Sequence, residues 1–168
     1  MAKGAGIKFT SYRESVTKLL ELMNLRQELK KYDRIVLKPN LTSSVENSTS
    51  VDFVESVLNF CLNNKNPVAE VFIAEGVDGF PTEDIFQSQG FAKLAEKYQI
   101  SLIDLNNAET EEIGNYKFAK FSSIHYPKIL KDSFLISLAK LSESDETEIS
   151  YSLSNMLFYS LNGQAESA

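Results

Sequence analysis

Residues 33–44 read DRIVLKPNLTSS, and the fold turns on them. Ile35-Val36-Leu37 is short, continuous and apolar, the pattern of a strand covered on both faces rather than one washed by water. It exits not into glycine or aspartate but into Lys38-Pro39-Asn40. A lysine leaving a buried strand must reach water or meet an anion. Pro39 fixes its own φ and biases Lys38 towards extended backbone, so the direction of the lysine is partly preset. Asn40 can offer its amide to a ligand or close a turn on its own backbone. Two readings stand side by side: a ligand-binding edge, or a lysine that pairs with Glu75 across the sheet and does nothing more.

Working outward, the same kind of apolar run recurs. Gly6 to Phe9 is a candidate first strand, AEVFIAEG (69–76) a clear one, SLIDL (101–105) the next, and DSFLISLAK (132–140) the last. Between them lie helical periodicities. Ser11 with Glu14 has the spacing of a capping box, followed by Val16, Leu19, Leu20 and Met23, with Leu29 near the helix end. A second helix is expected over Val51–Asn63, capped by Thr49 or Ser50, with Val54, Val57, Leu58, Cys61 and Leu62 as its stripe. TEDIFQSQGFAKLAEKYQ (82–99) reads as a helix broken at Gly90. Residues 109–127 alternate polar and aromatic positions, as a pair of short antiparallel strands does, and Pro127 can open a one-turn helix. TEISYSLSNMLFYSL (147–161) is an expected final amphipathic helix. Strands alternating with crossover helices imply an α/β fold: a three-layer α/β/α sandwich with a mainly parallel central sheet and a small antiparallel hairpin. One domain is expected over residues 1–161, with a small polar tail over 162–168.

Bulk properties narrow the function classes. A chain of 168 residues suits one domain, which buries roughly two-thirds of its unfolded surface. It carries a net charge of −6 with a pI near 4.9, an acidic protein. Nucleic-acid binding needs a clustered excess of Lys and Arg, so no nucleic-acid partner is expected. No apolar run approaches the roughly 20 residues that cross a bilayer, so no membrane partner is expected either. The start, MAKGAGIKFT, lacks an apolar signal core, and a single cysteine allows no internal disulfide. A cytoplasmic, reduced protein is expected.

In open α/β sheets, ligands sit outside the carboxyl ends of the strands. That rule gathers Lys38, Asn40, Thr42, Ser43 and Ser44 from one strand exit, and Glu75, Gly76 and Asp78 from the next. Asp104, Asn106 and Asn107 follow a third, and Lys140, Ser142, Glu143 and Asp145 the last. The candidate ligand-binding set is Lys38, Asn40, Thr42, Glu75, Gly76 and Lys140. Glu75 before Gly76 serves equally as a turn cap or a general base, and no catalytic residue is singled out. EGVDG (75–79) lacks the spacing of a dinucleotide fingerprint. With one Cys and one His, neither a zinc quartet nor an iron–sulfur ligand set can be assembled, and no cofactor or metal is expected. His125 falls in the aromatic hairpin, away from every strand exit, as a packed or solvent-edge residue.

Taken together, these segments resemble the domain of unknown function 362 family. DRIVLKPNL (33–41) is similar to its strand-plus-loop signature, and NSTSVDFVESVLNFCLNN (47–64) to the helix that follows a threonine-rich turn. VFIAEG (71–76) and TEDIFQSQGFAKLAEKYQISLIDLN (82–106) match its glycine-ended strand and its helix with a serine-x-glycine-aromatic break. YPKILKDSFLISLAKL (126–141) is similar to its late strand. The resemblance implies a three-layer α/β domain, joined in some members to ferredoxin-like iron–sulfur modules, with activity largely unassigned. The chain departs from the pattern at its end. Lys140 and Leu141 are kept, but SESDE (142–146) replaces the usual lysine-threonine-histidine group. Thr147 and Asn155 match, while Glu148 and Ser154 stand where glycine and lysine are usual. The resemblance implies a degenerate form, with the C-terminal part of the family domain expected to be missing or reduced.

Two functions follow as expectations. One is a non-catalytic module that keeps the fold and binds a small ligand or a protein partner. The other is an enzyme domain acting on a small anionic ligand, with Lys38 and Lys140 as anion contacts, Asn40 and Thr42 orienting it, and Glu75 as acid–base group. Glu143, Asp145 and Glu146 would repel an anion at close range and favour the first; the intact LKPNL favours the second.

Overall fold

The computed structural model describes residues 4–114 and 123–140, and the backbone of 142–144 and 148–150. Four strands, β1 (Arg34–Pro39), β2 (Glu70–Glu75), β3 (Ser101–Asp104) and β6 (Phe134–Leu138), form one parallel sheet in the order β3-β2-β1-β6. Register runs Ile35 beside Val71 and Phe134, and Ile73 beside Leu102. Two antiparallel pairs complete the strands: β4 (Thr110–Gly114) with β5 (Ser123–Pro127), and β7 (Ser142–Ser144) with β8 (Glu148–Ser150). This is the α/β architecture with a mainly parallel sheet and a small hairpin that the alternation of segments predicts.

Alternation along each strand divides the core in two. Ile35, Leu37, Val71 and Ile73 face helices, packing with Leu29, Val54, Leu58, Phe91 and Leu94. Val36, Ala74 and Phe72 face the other way, where Leu130, Ile129 and Tyr126 cover them. Among the described residues, all five helices lie on the first side: α1 (Tyr12–Leu22), α2 (Leu25–Glu28), α3 (Val51–Asn64), α4 (Thr82–Ser88) and α5 (Phe91–Tyr98). The second side carries the β4–β5 hairpin and a 3₁₀ turn, Lys128–Leu130, that starts after Pro127. β1 is central in the sheet and buried along nearly its whole length, as its unbroken apolar run requires.

Local signals place the helix ends. Ser11 accepts a hydrogen bond from the Glu14 N–H, and Ser50 one from the Phe53 N–H, so each satisfies a first-turn donor that has no partner within its helix. Gly90 sits between α4 and α5 at φ 87°, a left-handed conformation that costs a side-chain-bearing residue energy. That is why the apolar period of residues 82–99 makes two helices.

Three expectations need correction. Gly6–Phe9 forms no strand: β3 and β6 are the outer strands of the parallel sheet and neither pairs with it, and Phe9 is exposed. The first helix does not run to Leu29. Asn24 adopts the left-handed conformation (φ 59°, ψ 28°), which Asn tolerates better than most, and the chain turns there so that Leu25 and Leu29 enter the core. The final helix does not begin at Thr147, because Glu148–Ser150 pairs with Ser142–Ser144 as a strand. The remainder of that helix and the tail, residues 151–168, lie outside the described residues, as do 115–122 of the aromatic hairpin.

Candidate functional site

Strand order fixes where the sheet has its switch point. The chain steps from β1 to β2 to β3 in one direction, then returns to place β6 on the opposite side of β1. The reversal makes the carboxyl ends of β1 and β6 the switch point of the sheet, where diverging connections leave a crevice.

Lys38 and Glu75, on adjacent strands, meet at this carboxyl edge. The Lys38 ammonium donates to Glu75 Oε1 at 2.9 Å and Oε2 at 3.2 Å, and their side chains are 1% and 4% exposed. Glu75 Oε1 also accepts from the Gly76 N–H at 2.9 Å. Burial disfavours the ammonium and lowers the Lys38 pKa from its ordinary value, against the opposing charge and hydrogen bond of Glu75. Lys38 is thus paired with Glu75 across the sheet. The turn after β2 is held by side chains: Thr82 Oγ1 accepts from the Val77 N–H at 3.1 Å, and Asn106 Nδ2 donates to the Val77 carbonyl at 2.9 Å. Asp104 closes the turn after β3, accepting from the Asn106 N–H at 3.0 Å and from Asn107 Nδ2 at 2.6 Å.

Of the other predicted residues, Asn40 and Thr42 lie on the loop between β1 and α3, and Lys140 beyond β6. Asn40 exchanges two hydrogen bonds with Thr49: its N–H donates to Thr49 Oγ1 at 3.0 Å and its carbonyl accepts from the Thr49 N–H at 2.8 Å. Its own side-chain amide has no hydrogen-bond partner among the described residues. Thr42 serves its loop instead, its hydroxyl engaged with the backbone of Ser44 and its carbonyl accepting from Gln89 Nε2 at 2.7 Å. Lys140, just beyond β6, is exposed and donates to the Glu46 carbonyl. It thus lies on the same edge as Lys38 but reaches the β1–α3 loop rather than the buried pair.

Thr49 joins these pieces, and sequence reasoning gave it only a possible role as a helix cap. Ser50 caps α3, leaving the Thr49 hydroxyl to donate to the Leu138 carbonyl at the end of β6, at 2.6 Å. One side chain therefore ties the exits of β1 and β6 at the floor of the crevice. No local signal could announce it, since its partner lies 89 residues away. Above it opens a cavity of about 290 Å³ lined by Tyr12, Ser48, Thr49, Phe53, Ala139 and Lys140. A larger depression of about 560 Å³, lined by Arg13, Arg26, Glu55, Asn59 and Tyr98, contains none of the strand-exit residues.

Among the described residues, no group of three His, Cys, Asp or Glu residues is arranged to hold a metal ion. Cys61 is buried on α3, and burial pushes its thiol up to about 12, so it stays protonated at neutral pH. His125 is on the exposed face of β5, opposite Glu112 in the hairpin. No described helix is long and apolar enough to cross a membrane.

The strand, its Lys-Pro-Asn exit and everything that follows fall within one sequence family. The family model described as Domain of unknown function (DUF362) matches residues 35–166. The chain belongs to the DUF362 family. Its match covers all four strands of the parallel sheet and the switch point, and leaves α1 and α2 outside. No curated protein and no solved structure matches the chain significantly. The switch-point edge of this DUF362 domain combines a buried ion pair, a loop tied by Thr49 and an open cleft beside Lys140.

Proposed function

We propose that this DUF362 domain is a non-catalytic binding module that holds a small anionic ligand, or an acidic group of a protein partner, at the switch point of its sheet. The observation that carries this reading is the burial of Lys38 against Glu75. The charges best placed to act as acid, base or anion contact answer each other at 2.9 Å and are closed off from water. An occupant of the edge would have to displace a desolvated partner to reach either, which is unfavourable by several kcal/mol. Two other groups stand at the same edge: the Lys140 ammonium, whose partner is an exposed-loop carbonyl, and the Asn40 side-chain amide, which has no hydrogen-bond partner among the described residues. A cationic side chain at the rim of a cavity suits retention of an anion rather than bond-making.

The test is an NMR titration of the folded protein with acetate, formate, benzoate and inorganic phosphate. Shifts in the amides of Thr49–Phe53, Ala139 and Lys140, weakened at least fivefold by Lys140→Ala, are expected for at least one of the anions. If none of the four perturbs these amides, the binding reading fails.

One observation favours a second reading, an enzyme domain acting on a small anionic ligand through Lys38, Asn40, Glu75 and Lys140. Burial lowers the Lys38 pKa, as it does for lysines used as bases or nucleophiles. The double substitution Lys38→Met with Glu75→Gln separates the two. Unchanged anion binding supports the module, and loss of binding in a folded double variant supports the enzyme.

A further inference from the structure

Three aromatic rings form a chain beside the switch-point cleft. Phe9 meets Tyr12 edge to face, with centroids 5.4 Å apart at 72°, and Tyr12 meets Phe53 at 5.7 Å and 40°. Phe9 is 62% exposed and Tyr12 41%. A single exposed ring needs no explanation, but here Tyr12, packed against exposed Phe9, lines a cavity together with Phe53. On the far wall stand Ala139 and the Lys140 ammonium, and Ser48, Thr49 and Ser50 complete the lining.

We propose that the cleft selects a small aromatic monocarboxylate, its ring against Tyr12 and Phe53 and its carboxylate at Lys140. The proposal rests on the reading above that this cleft is the binding site, and adds the chemical class of the ligand.

Size, shape and charge each restrict the occupant. The cavity of about 290 Å³ lies at the bottom of the ~300–1,000 Å³ range of small-molecule sites, which suits one ring or a fused pair. Ring faces already in edge-to-face contact leave Tyr12 able to take a further ring in the offset or edge-on geometry that aromatic pairs prefer. The hydroxyls contribute little to charge recognition, because each is engaged within the protein. Ser48 bonds Thr42 and Ser44, Thr49 bonds Leu138, and Ser50 caps α3. Lys140 is the cation on the lining, and it can leave a solvent-exposed carbonyl for a carboxylate, which forms a stronger charge-assisted bond. Acidic residues flank these segments: Glu46 in the loop, Asp52 in the first turn of α3, and Glu143, Asp145 and Glu146 in the sequence that follows Lys140. Their charge opposes a dianion more than a monoanion, which favours a carboxylate over a phosphate.

The experiment compares benzoate, cyclohexanecarboxylate and acetate by NMR titration of the folded protein. Benzoate is expected to saturate the Tyr12, Phe53 and Lys140 amides at least tenfold more tightly than acetate and at least threefold more tightly than cyclohexanecarboxylate. Tyr12→Ala should weaken benzoate at least fivefold, while Tyr12→Phe, which keeps the ring and the fold, should leave it within twofold. Benzoate and acetate binding equally at the cleft would overturn the aromatic preference and leave the anion-binding reading standing. Equal affinity for benzoate and cyclohexanecarboxylate would show apolar contact without ring recognition, and also overturns it. Failure of every carboxylate and of phosphate to touch the cleft overturns both.

Discussion

The Lys38 ammonium lies 2.9 Å from Glu75 Oε1, with both side chains all but closed off from water. Lys38 also donates to the Pro39 carbonyl and Glu75 also accepts from the Gly76 N–H, but neither of those groups is a counter-charge, so the value of the pair to the fold depends on both residues being present. Removing one takes from the other, still buried, the opposite charge it hydrogen-bonds, which destabilises by about 3–5 kcal/mol; replacing both can be neutral.

For that reason Lys38→Met alone should lower unfolding free energy by about 3–5 kcal/mol in chemical denaturation. Adding Glu75→Gln, which keeps an acceptor for the Gly76 N–H, should recover at least half of the loss. A double variant as unstable as the single one would mean the pair is not coupled in the way its geometry indicates.

Thr49 offers a second test, because its hydroxyl accepts from Asn40 and donates to Leu138 at once. Thr49→Val keeps the shape and removes both bonds, and should destabilise by about 1–3 kcal/mol. Thr49→Ser, which keeps the hydroxyl, should stay nearer the parent. If valine is tolerated as well as serine, the tie between the β1 and β6 exits carries no weight in stability.

On the helical layer, Glu55 of α3 accepts from Lys97 Nζ and from the Tyr98 hydroxyl of α5, each at 2.7 Å. The Lys97 hydrogen bond, then that of Tyr98, holds its carboxyl below the ordinary 4.5. A carboxylate with a lowered folded pKa stabilises fully above its ordinary value, and that stabilisation is lost as pH falls through the folded one. The effect should be below about 1 kcal/mol for a pair this exposed. Glu55→Gln should flatten the fall in stability below pH 4.5, and Tyr98→Phe should raise the Glu55 pKa followed by NMR. An unchanged Glu55 titration in Tyr98→Phe would remove the hydrogen bond as a cause.

Cys61 provides a probe of core integrity. Fully buried, with its thiol pushed up to about 12, it should resist an aromatic disulfide reagent near pH 8 until the protein unfolds, when one thiol should react. Rapid reaction while circular dichroism remains native would contradict its burial.

Much of the fold was legible because the signals are local. The apolar run at Ile35–Leu37 is a fully buried strand, Ser11 and Ser50 sit one residue before their helices, and Gly90 breaks a helix for want of a side chain. Each depends on residues within a few positions, where hydrogen-bond capping and backbone sterics act. The rule that parallel strands present their carboxyl ends together was also enough to put Lys38, Glu75 and Lys140 on one edge. Where local pattern misled, a longer-range fact decided. Gly6–Phe9 lacks a neighbour in the sheet, and Glu148–Ser150 found a strand partner in Ser142–Ser144.

What the sequence by itself determined was most of the inventory: the four strands of the parallel sheet, the helices between them, and the polar residues at the strand exits. What only the tertiary structure decided was partnership. Lys38 had water, a ligand and Glu75 open to it, and the choice fell to Glu75, 37 residues away, because β2 pairs directly with β1. Thr49 had a cap to make, and makes instead a bond to Leu138 because β6 returns to the other side of β1. Tyr12 and Phe53 became one wall of a cleft because α1 and α3 pack side by side on the sheet. Propensity and capping act over a few residues of chain, whereas the desolvation that makes a buried charge seek its counterpart acts only once strand order has brought the two together.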